Sequence, residues 1–248
     1  MSKNKEKVNS KEVGLEIGLV ISRFLYKTEH LHYGYWPDDL AIIPENVGKA
    51  QDLHSKLIMD TIPEDVETIL DIGSGSGGLA EKLIDKGYQV HCVSPSEYLA
   101  DAIEEKLGDK VKVYRSTCQD LQLEQKYDLT IFSESFQYVP MDRGFEKCIE
   151  ALNPGRHILI CDFFRQPGTG RRPLGGGHGW DWFHDVLKEY PLTEVVNKDI
   201  TKETARTMDL LNDMLNDFAL PISSLSARYM DSNYPRLMKV FRLSLIHI

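Results

Sequence analysis

The chain has 248 residues, 42% of them apolar, and a formal net charge of −9. That length fits one α/β core with additions, and no apolar run approaches the roughly eighteen residues of a membrane span. The acidic balance argues against a nucleic-acid partner, and four cysteines (Cys92, Cys118, Cys148, Cys161) without a C-x-x-C spacing read as reduced thiols in a cytoplasmic protein rather than a disulfide framework or zinc site.

In chain order, Met1 to Ser10 is a polar tail, and helices are expected near Lys11–Tyr26 and Asn46–Thr61. Gly14 to Leu25 is apolar but short and broken by Glu16 and Arg23, so it reads as an amphipathic helix and not as a targeting segment. Then come strand Thr68–Ile72, helix Gly77–Lys86, strand Gln89–Val93, helix Ser96–Leu107, strands Val111–Arg115 and Leu129–Ser133, helix Arg143–Leu152 and strand His157–Asp162. Strands alternating with helices imply right-handed crossovers and a doubly wound, mostly parallel Rossmann-like sheet of α/β class. In such sheets ligands lie outside the carboxyl ends of the strands, where this chain places Asp71, Ser94, Thr117, Ser133-Glu134 and Asp162.

Beyond Phe164 the pattern changes. Arg165 to Gly179 is a loop rich in Gly, Pro and Arg, followed by expected helices near Trp180–Tyr190 and Thr201–Asp217 with a strand candidate at Thr193–Asn197 between them. The division expected is therefore a tail (1–10), an N-terminal helical cap (11–64), a cofactor-binding core (65–164) and a substrate cover (165–242), all within one domain.

The chemistry concentrates at the first strand-to-helix turn, Asp71-Ile72-Gly73-Ser74-Gly75-Ser76-Gly77-Gly78. Glycines there let an adenosine-type ligand lie against main chain. Gly73, Gly75 and Gly78 also satisfy the G-x-G-x-x-G dinucleotide fingerprint, which keeps a nicotinamide oxidoreductase as an alternative. Two details separate the readings: Asp71 would repel a pyrophosphate but suit an ammonium group, and the second strand ends in Ser94-Pro95-Ser96 where the dinucleotide fold expects a ribose-binding carboxylate.

The D-x-G-x-G-x-G pattern resembles motif I of class I S-adenosylmethionine-dependent methyltransferases. Thr28-Glu29-His30-Leu31-His32-Tyr33-Gly34-Tyr35-Trp36 resembles a His-rich aromatic segment of γ-tocopherol methyltransferases. Val90–Ser96, Ser133-Glu134-Ser135 and Leu152-Asn153-Pro154-Gly155 are similar to segments of that group and of the cyclopropane fatty-acid synthases. The sequence departs from the pattern at Arg156, where a second Gly is usual, at Tyr138, where many relatives have His, and at Thr117, where many have Asp.

The resemblance implies an S-adenosylmethionine cofactor, a small-molecule acceptor and methyl transfer to a nitrogen, oxygen or carbon atom by in-line displacement, with a cyclopropane-synthase-like reaction as the alternative. A partner protein lacking catalysis on the same fold is a third reading, which the intact glycine motif opposes. Candidate cofactor-binding residues are Tyr33, Tyr35, Asp71, Gly73, Ser74, Gly75, Gly77, Ser94, Pro95, Ser96, Thr117, Cys118, Gln119 and Ser133. Aromatic faces attract the sulfonium, and the serines suit ribose hydroxyls, although Ser96 also reads as a plain helix cap. Candidate catalytic residues are Glu134, Tyr138 and His178, with His32 a further candidate base. Glu134 stands out because a carboxylate among Ile131, Phe132 and Phe136 is costly without a partner. No metal site is expected.

The resemblance also implies a final strand after the helix near Tyr234–Phe241. The chain instead closes on Leu243-Ser244-Leu245-Ile246-His247-Ile248, which is what CTG-TCT-CTT-ATA-CAC-ATC, the end of a transposase library adapter, encodes. Those six residues are read as a sequencing artefact, with native sequence ending near Arg242 and the sheet lacking its last strand.

Overall fold

The computed structural model describes residues 10–168 and 177–235. Helix α1 (Ser10–Ile21) runs on through a π-helical stretch, Ser22–Tyr26, and α2 (Val47–Asp60) follows the aromatic segment. Strand β1 (Thr68–Ile72), α3 (Gly78–Asp85), β2 (Gln89–Val93), α4 (Glu97–Leu107), β3 (Lys112–Tyr114), β4 (Tyr127–Ser133), α5 (Met141–Ala151) and β5 (Leu152–Cys161) then alternate. All five strands are parallel, in the order β3-β2-β1-β4-β5, so the chain reverses direction across the sheet between β1 and β4.

Side chains alternate between two cores, as the twofold period of a strand covered on both faces requires. Ile69, Val90, Cys92, Leu129 and Ile131 pack with Ile58 of α2, Leu79 and Leu83 of α3, and Ile103 of α4. Leu70, Ile72, Val93 and Phe132 face the other way, onto Phe145 and Cys148 of α5. A third cluster, Trp36, Leu40, Val47, Ala50 and Leu210, ties the aromatic segment to the C-terminal helices.

The departure at Arg156 is structural. Its guanidinium bonds Asp65 O at 2.7 Å and lies 3.1 Å from Asp128 Oδ1. Asp128 also accepts from the backbone N–H groups of Glu67 and Thr68, which hold its carboxyl down at about 2 despite the opposing effect of burial. A glycine at 156 would leave this edge of the sheet without its cation.

The C-terminal half differs from expectation in two places. The strand candidate Thr193–Asn197 is irregular backbone, with Val195 80% and Val196 60% exposed, and among the described residues no strand lies beside it to complete a ladder. The helix expected to stop at Asp217 continues: α7 (Thr201–Asp213) passes through a π-helical stretch, Met214–Ala219, into α8 (Leu220–Asn233). Pro221, which lacks an N–H, sits at the start of α8, and the wider turn ahead of it absorbs the missing bond. A short parallel pair, β6 (Phe164–Arg165) and β7 (His178–Gly179), leads into α6 (Trp180–Leu187). The first nine residues, part of the Arg165–Gly179 loop and the chain from 236 onward, including the final-strand and artefact expectations, lie outside the described residues. Among the described residues no helix is long and apolar enough to cross a membrane.

The aromatic segment is clasped to α7. Thr207 Oγ1 accepts from the Gly34 N–H at 3.1 Å and from Trp36 Nε1 at 2.9 Å, and the Trp36 N–H donates to Glu203 O at 3.2 Å.

Candidate active site

A cavity of about 820 Å³ opens outside the carboxyl ends of the strands. Its floor is the turn after β1. Gly73, Gly75 and Gly77 all take positive φ (78°, 56° and 80°), a region that β-carbons disfavour. Their surroundings differ: a Cβ on Gly73 would meet Ser135 Cβ at 2.5 Å and one on Gly77 would press Ile103 at 3.2 Å, whereas Gly75 faces open space. Gly73 and Ser74 N–H groups both donate to Val93 O, anchoring the turn to β2.

Asp71 lines this cavity with only 1% of its surface exposed, and neither carboxylate oxygen has a hydrogen-bond partner. Burial pushes its carboxyl up to about 7. A desolvated carboxylate with both oxygens unpaired asks for a cationic donor and repels a phosphate. This fits an ammonium-bearing ligand and opposes the dinucleotide alternative.

The next strand end is built from hydroxyls. The Ser96 hydroxyl accepts from the Leu99 N–H at 3.3 Å and so caps α4, while Ser94 Oγ lies 3.2 Å from Ser96 O. Pro95, Thr117, Cys118 and Gln119 join them on the cavity wall. Thr117, which replaces a common aspartate, donates to Asp120 at 2.6 Å, so a carboxylate is present three residues on.

Glu134 occupies the left-handed region at φ 56°, a strained place for a residue with a side chain. Its N–H donates to Cys161 O at 2.8 Å, and its Oε1 accepts from the Tyr33 N–H at 3.0 Å. Burial, reinforced by the nearby Asp162 carboxylate, pushes the Glu134 carboxyl up to about 8. Burial likewise moves Asp162 to about 6, although the N–H groups of Gln137 and Phe163 bond it. Ser133 contributes a buried, unpartnered hydroxyl, and Tyr138, 70% exposed, stands at the rim.

The structure thus brings Tyr33, Asp71, Gly73, Ser74, Gly75, Ser94, Pro95, Ser96, Thr117, Cys118, Gln119, Ser133, Glu134 and Tyr138 to one cavity. It does not bring Tyr35, Gly77 or His178 there. Lys198 Nζ lies over the Tyr35 ring at 5.9 Å, and Gly77 shapes the turn from behind. His178, taken from sequence as a candidate base, has Nε2 at 3.1 Å from Phe136 O and 3.0 Å from Val139 O, so it fastens β7 to the segment after β4.

Sequence reasoning passed over His54. It lies 1% exposed on α2, its ring stacked on His32 at 4.6 Å. Burial lowers the pKa of His30, His32 and His54 to about 2, 4 and 3, so all three imidazoles are neutral near pH 7. The available signal was the spacing Val47, Ala50, His54, Ile58, which sets a histidine on the buried face of a helix.

Residues 69–155 match a family described as a methyltransferase domain. An uncharacterized methyltransferase of Geobacillus sp. strain WCH70 is 28% identical over 148 residues, spanning 56% of this chain and 70% of that protein. In structure the chain resembles geranyl diphosphate C-methyltransferase from Streptomyces coelicolor A3(2), solved with Mg²⁺, geranyl-S-thiolodiphosphate and S-adenosyl-L-homocysteine (TM-score 0.70, 16% identity, 84% of this chain and 88% of that one). A cyclopropane synthase from Mycobacterium tuberculosis superimposes at a TM-score of 0.66 with 16% identity over 91% of this chain and 87% of its own. Sequence, sheet order and cavity agree: residues 69–155 carry a methyltransferase domain, and the chain has the Rossmann-like fold of an S-adenosylmethionine-dependent methyltransferase.

Proposed function

We propose that this enzyme methylates a nucleophilic nitrogen, oxygen or carbon atom of a small molecule, with donor and acceptor held side by side in the one cavity. The observation that carries this division is the unpartnered Asp71 carboxylate on the glycine wall, set against the Glu134, Tyr138 and Phe163 side of the same space. The donor would lie along Gly73–Gly75, its ammonium at Asp71 and its ribose near Ser94 and Ser96. S-adenosylmethionine supplies an electrophilic methyl group on a sulfonium.

The protein's part is to orient the acceptor and exclude water, which can lower a barrier by about 7–11 kcal/mol. Glu134, held largely protonated near pH 7, offers a hydrogen bond to an acceptor heteroatom and can return as a base where the acceptor lowers its pKa. Tyr138 at the rim and Tyr33 on the cap side would contact the acceptor and the donor respectively. The net charge of −9 and the four free thiols support a small-molecule rather than nucleic-acid substrate and a reducing, cytoplasmic setting.

Calorimetry with S-adenosylhomocysteine and NADH tests the donor side, and mass spectrometry of a metabolite extract incubated with methyl-labelled donor tests the acceptor side. Micromolar binding of S-adenosylhomocysteine with a labelled small molecule is expected. Preferential NADH binding, or label appearing only in nucleic acid, overturns the reading.

A further inference from the structure

We propose that His32, His54 and Glu134 form a binding site for one divalent transition-metal ion of intermediate hardness, Zn²⁺ or Fe²⁺ in character, where the segment before α2 and the end of β4 border the cavity. Three separate parts of the chain supply the donors: the segment before α2, α2 itself and the end of β4. Their ligand atoms lie within 4.8 Å of one another, and His54 Nε2 is 3.7 Å from Glu134 Oε1. Metal–ligand bonds of ~2.0–2.2 Å need those atoms only modestly closer together.

His54 makes the strongest case. It is 1% exposed, and its Nε2, the nitrogen on the Glu134 side, lies 3.4 Å from the Cys161 sulfur, a weak partner. A buried imidazole this poorly satisfied is costly unless something else binds it.

The other two ligands are already oriented, both by Tyr33. His32 Nδ1 lies 2.8 Å from Tyr33 O, so Nδ1 carries the hydrogen and Nε2 presents its lone pair, which now accepts from His30 Nδ1 at 3.1 Å with Ser55 Oγ at 3.5 Å. In the same residue the N–H donates to Glu134 Oε1. A second ring nitrogen bound to a backbone carbonyl is how metal-ligating histidines are held in place. Loading the ion exchanges the 3.1 Å contact between His30 Nδ1 and His32 Nε2 for a coordinate bond.

Two imidazoles and one carboxylate favour ions such as Zn²⁺ and Fe²⁺ over Mg²⁺ or Ca²⁺, which prefer oxygen ligands. Because His32 and Glu134 line the cavity, the remaining coordination positions face the acceptor's side of it. An acceptor with an oxygen or nitrogen donor would meet the ion there.

The test uses chelator-stripped protein titrated with Co²⁺ and followed by its visible bands, together with metal analysis after Zn²⁺ reconstitution and gel filtration. One ion per chain is expected, with excess Mg²⁺ failing to displace it, and His54→Gln and Glu134→Gln should each weaken Co²⁺ binding by roughly tenfold or more. Calorimetry with S-adenosylhomocysteine monitors the donor wall, so parental affinity in His54→Gln certifies the fold; if that variant does not bind it, Glu134→Gln and the parent titration decide. No retained Zn²⁺ and no Co²⁺ bands in a parent that binds S-adenosylhomocysteine overturns the proposal. So do bands undiminished in the folded variants.

Discussion

The two walls of the cavity are built on opposite plans. The glycine wall uses backbone, small hydroxyls and a single carboxylate, drawn from two consecutive strand ends. The rest of the lining gathers His32, Glu134 and Tyr138 from widely separated stretches, with His54 and Asp162 directly behind, and meets the glycine turn where His30 packs on Gly78 and Ser135 on Gly73. A wall that must match one invariant donor needs shape and one point charge. A wall that must select and activate an acceptor needs ionisable groups whose pKa values burial has displaced. Substitutions on the two walls should therefore separate donor affinity from turnover.

The largest effect is expected at Gly75. Its Cβ would enter open space, so Gly75→Val should fold despite about 1–2 kcal/mol of backbone strain while filling the donor's position. Affinity for S-adenosylhomocysteine should fall by roughly a hundredfold or more in calorimetry. Gly73→Val, which would strike Ser135, should lose melting temperature as well as affinity.

Asp71→Asn comes next, with donor affinity reduced roughly thirtyfold, about 2 kcal/mol. The free protein should respond in the opposite sense. A carboxyl raised from 3.8 to about 7 by burial contributes stability that is complete below about pH 3.8 and lost as pH rises through about 7. Without donor, Asp71→Asn should thus gain stability relative to the parent as pH rises from about 4 to about 7, by at most about 4 kcal/mol, read as a rise in melting temperature over the parent's. An unchanged difference across that range would mean that Asp71 has a partner.

On the other wall, Glu134→Gln should lower turnover about tenfold, about 1.4 kcal/mol of transition-state stabilisation, with donor affinity nearly kept. Steady-state kinetics beside calorimetry reads both. Activity kept with stability lost would assign Glu134 to the scaffold. The smallest effect on either ligand is expected for His178→Ala, which removes the donor to two backbone carbonyls: about 1–2 kcal/mol of stability, and donor affinity within about twofold of the parent.

The same contrast explains what the sequence made legible. Strands β1 and β2 were readable to the residue because an apolar run, a glycine turn and a helix cap lie within a few positions of each other. The glycine wall is local chemistry, so it could be assigned from one stretch. The rest of the lining is assembled by tertiary contact: nothing near His54 in the chain announces Glu134, and only the buried-face spacing of α2 hints at it. His178 looked like a base because its surroundings are glycine-rich and aromatic, yet the fold turns it toward two carbonyls. Val195-Val196 suggested a strand by propensity alone, and propensity does not supply a neighbour. At Pro221 the rule that proline ends a helix lost to a π-helical stretch that lets the helix continue.

The Thr207 clasp has a kinetic consequence. One hydroxyl accepts from both Gly34 and Trp36, so the segment carrying Tyr33 and the helix carrying Met208 move as one body, and both border the cavity. Displacing that body breaks the bond from the Tyr33 N–H to Glu134 at the same moment. Any opening of the cavity on this side therefore also frees the Glu134 carboxyl from the Tyr33 N–H, which couples access to the state of that side chain.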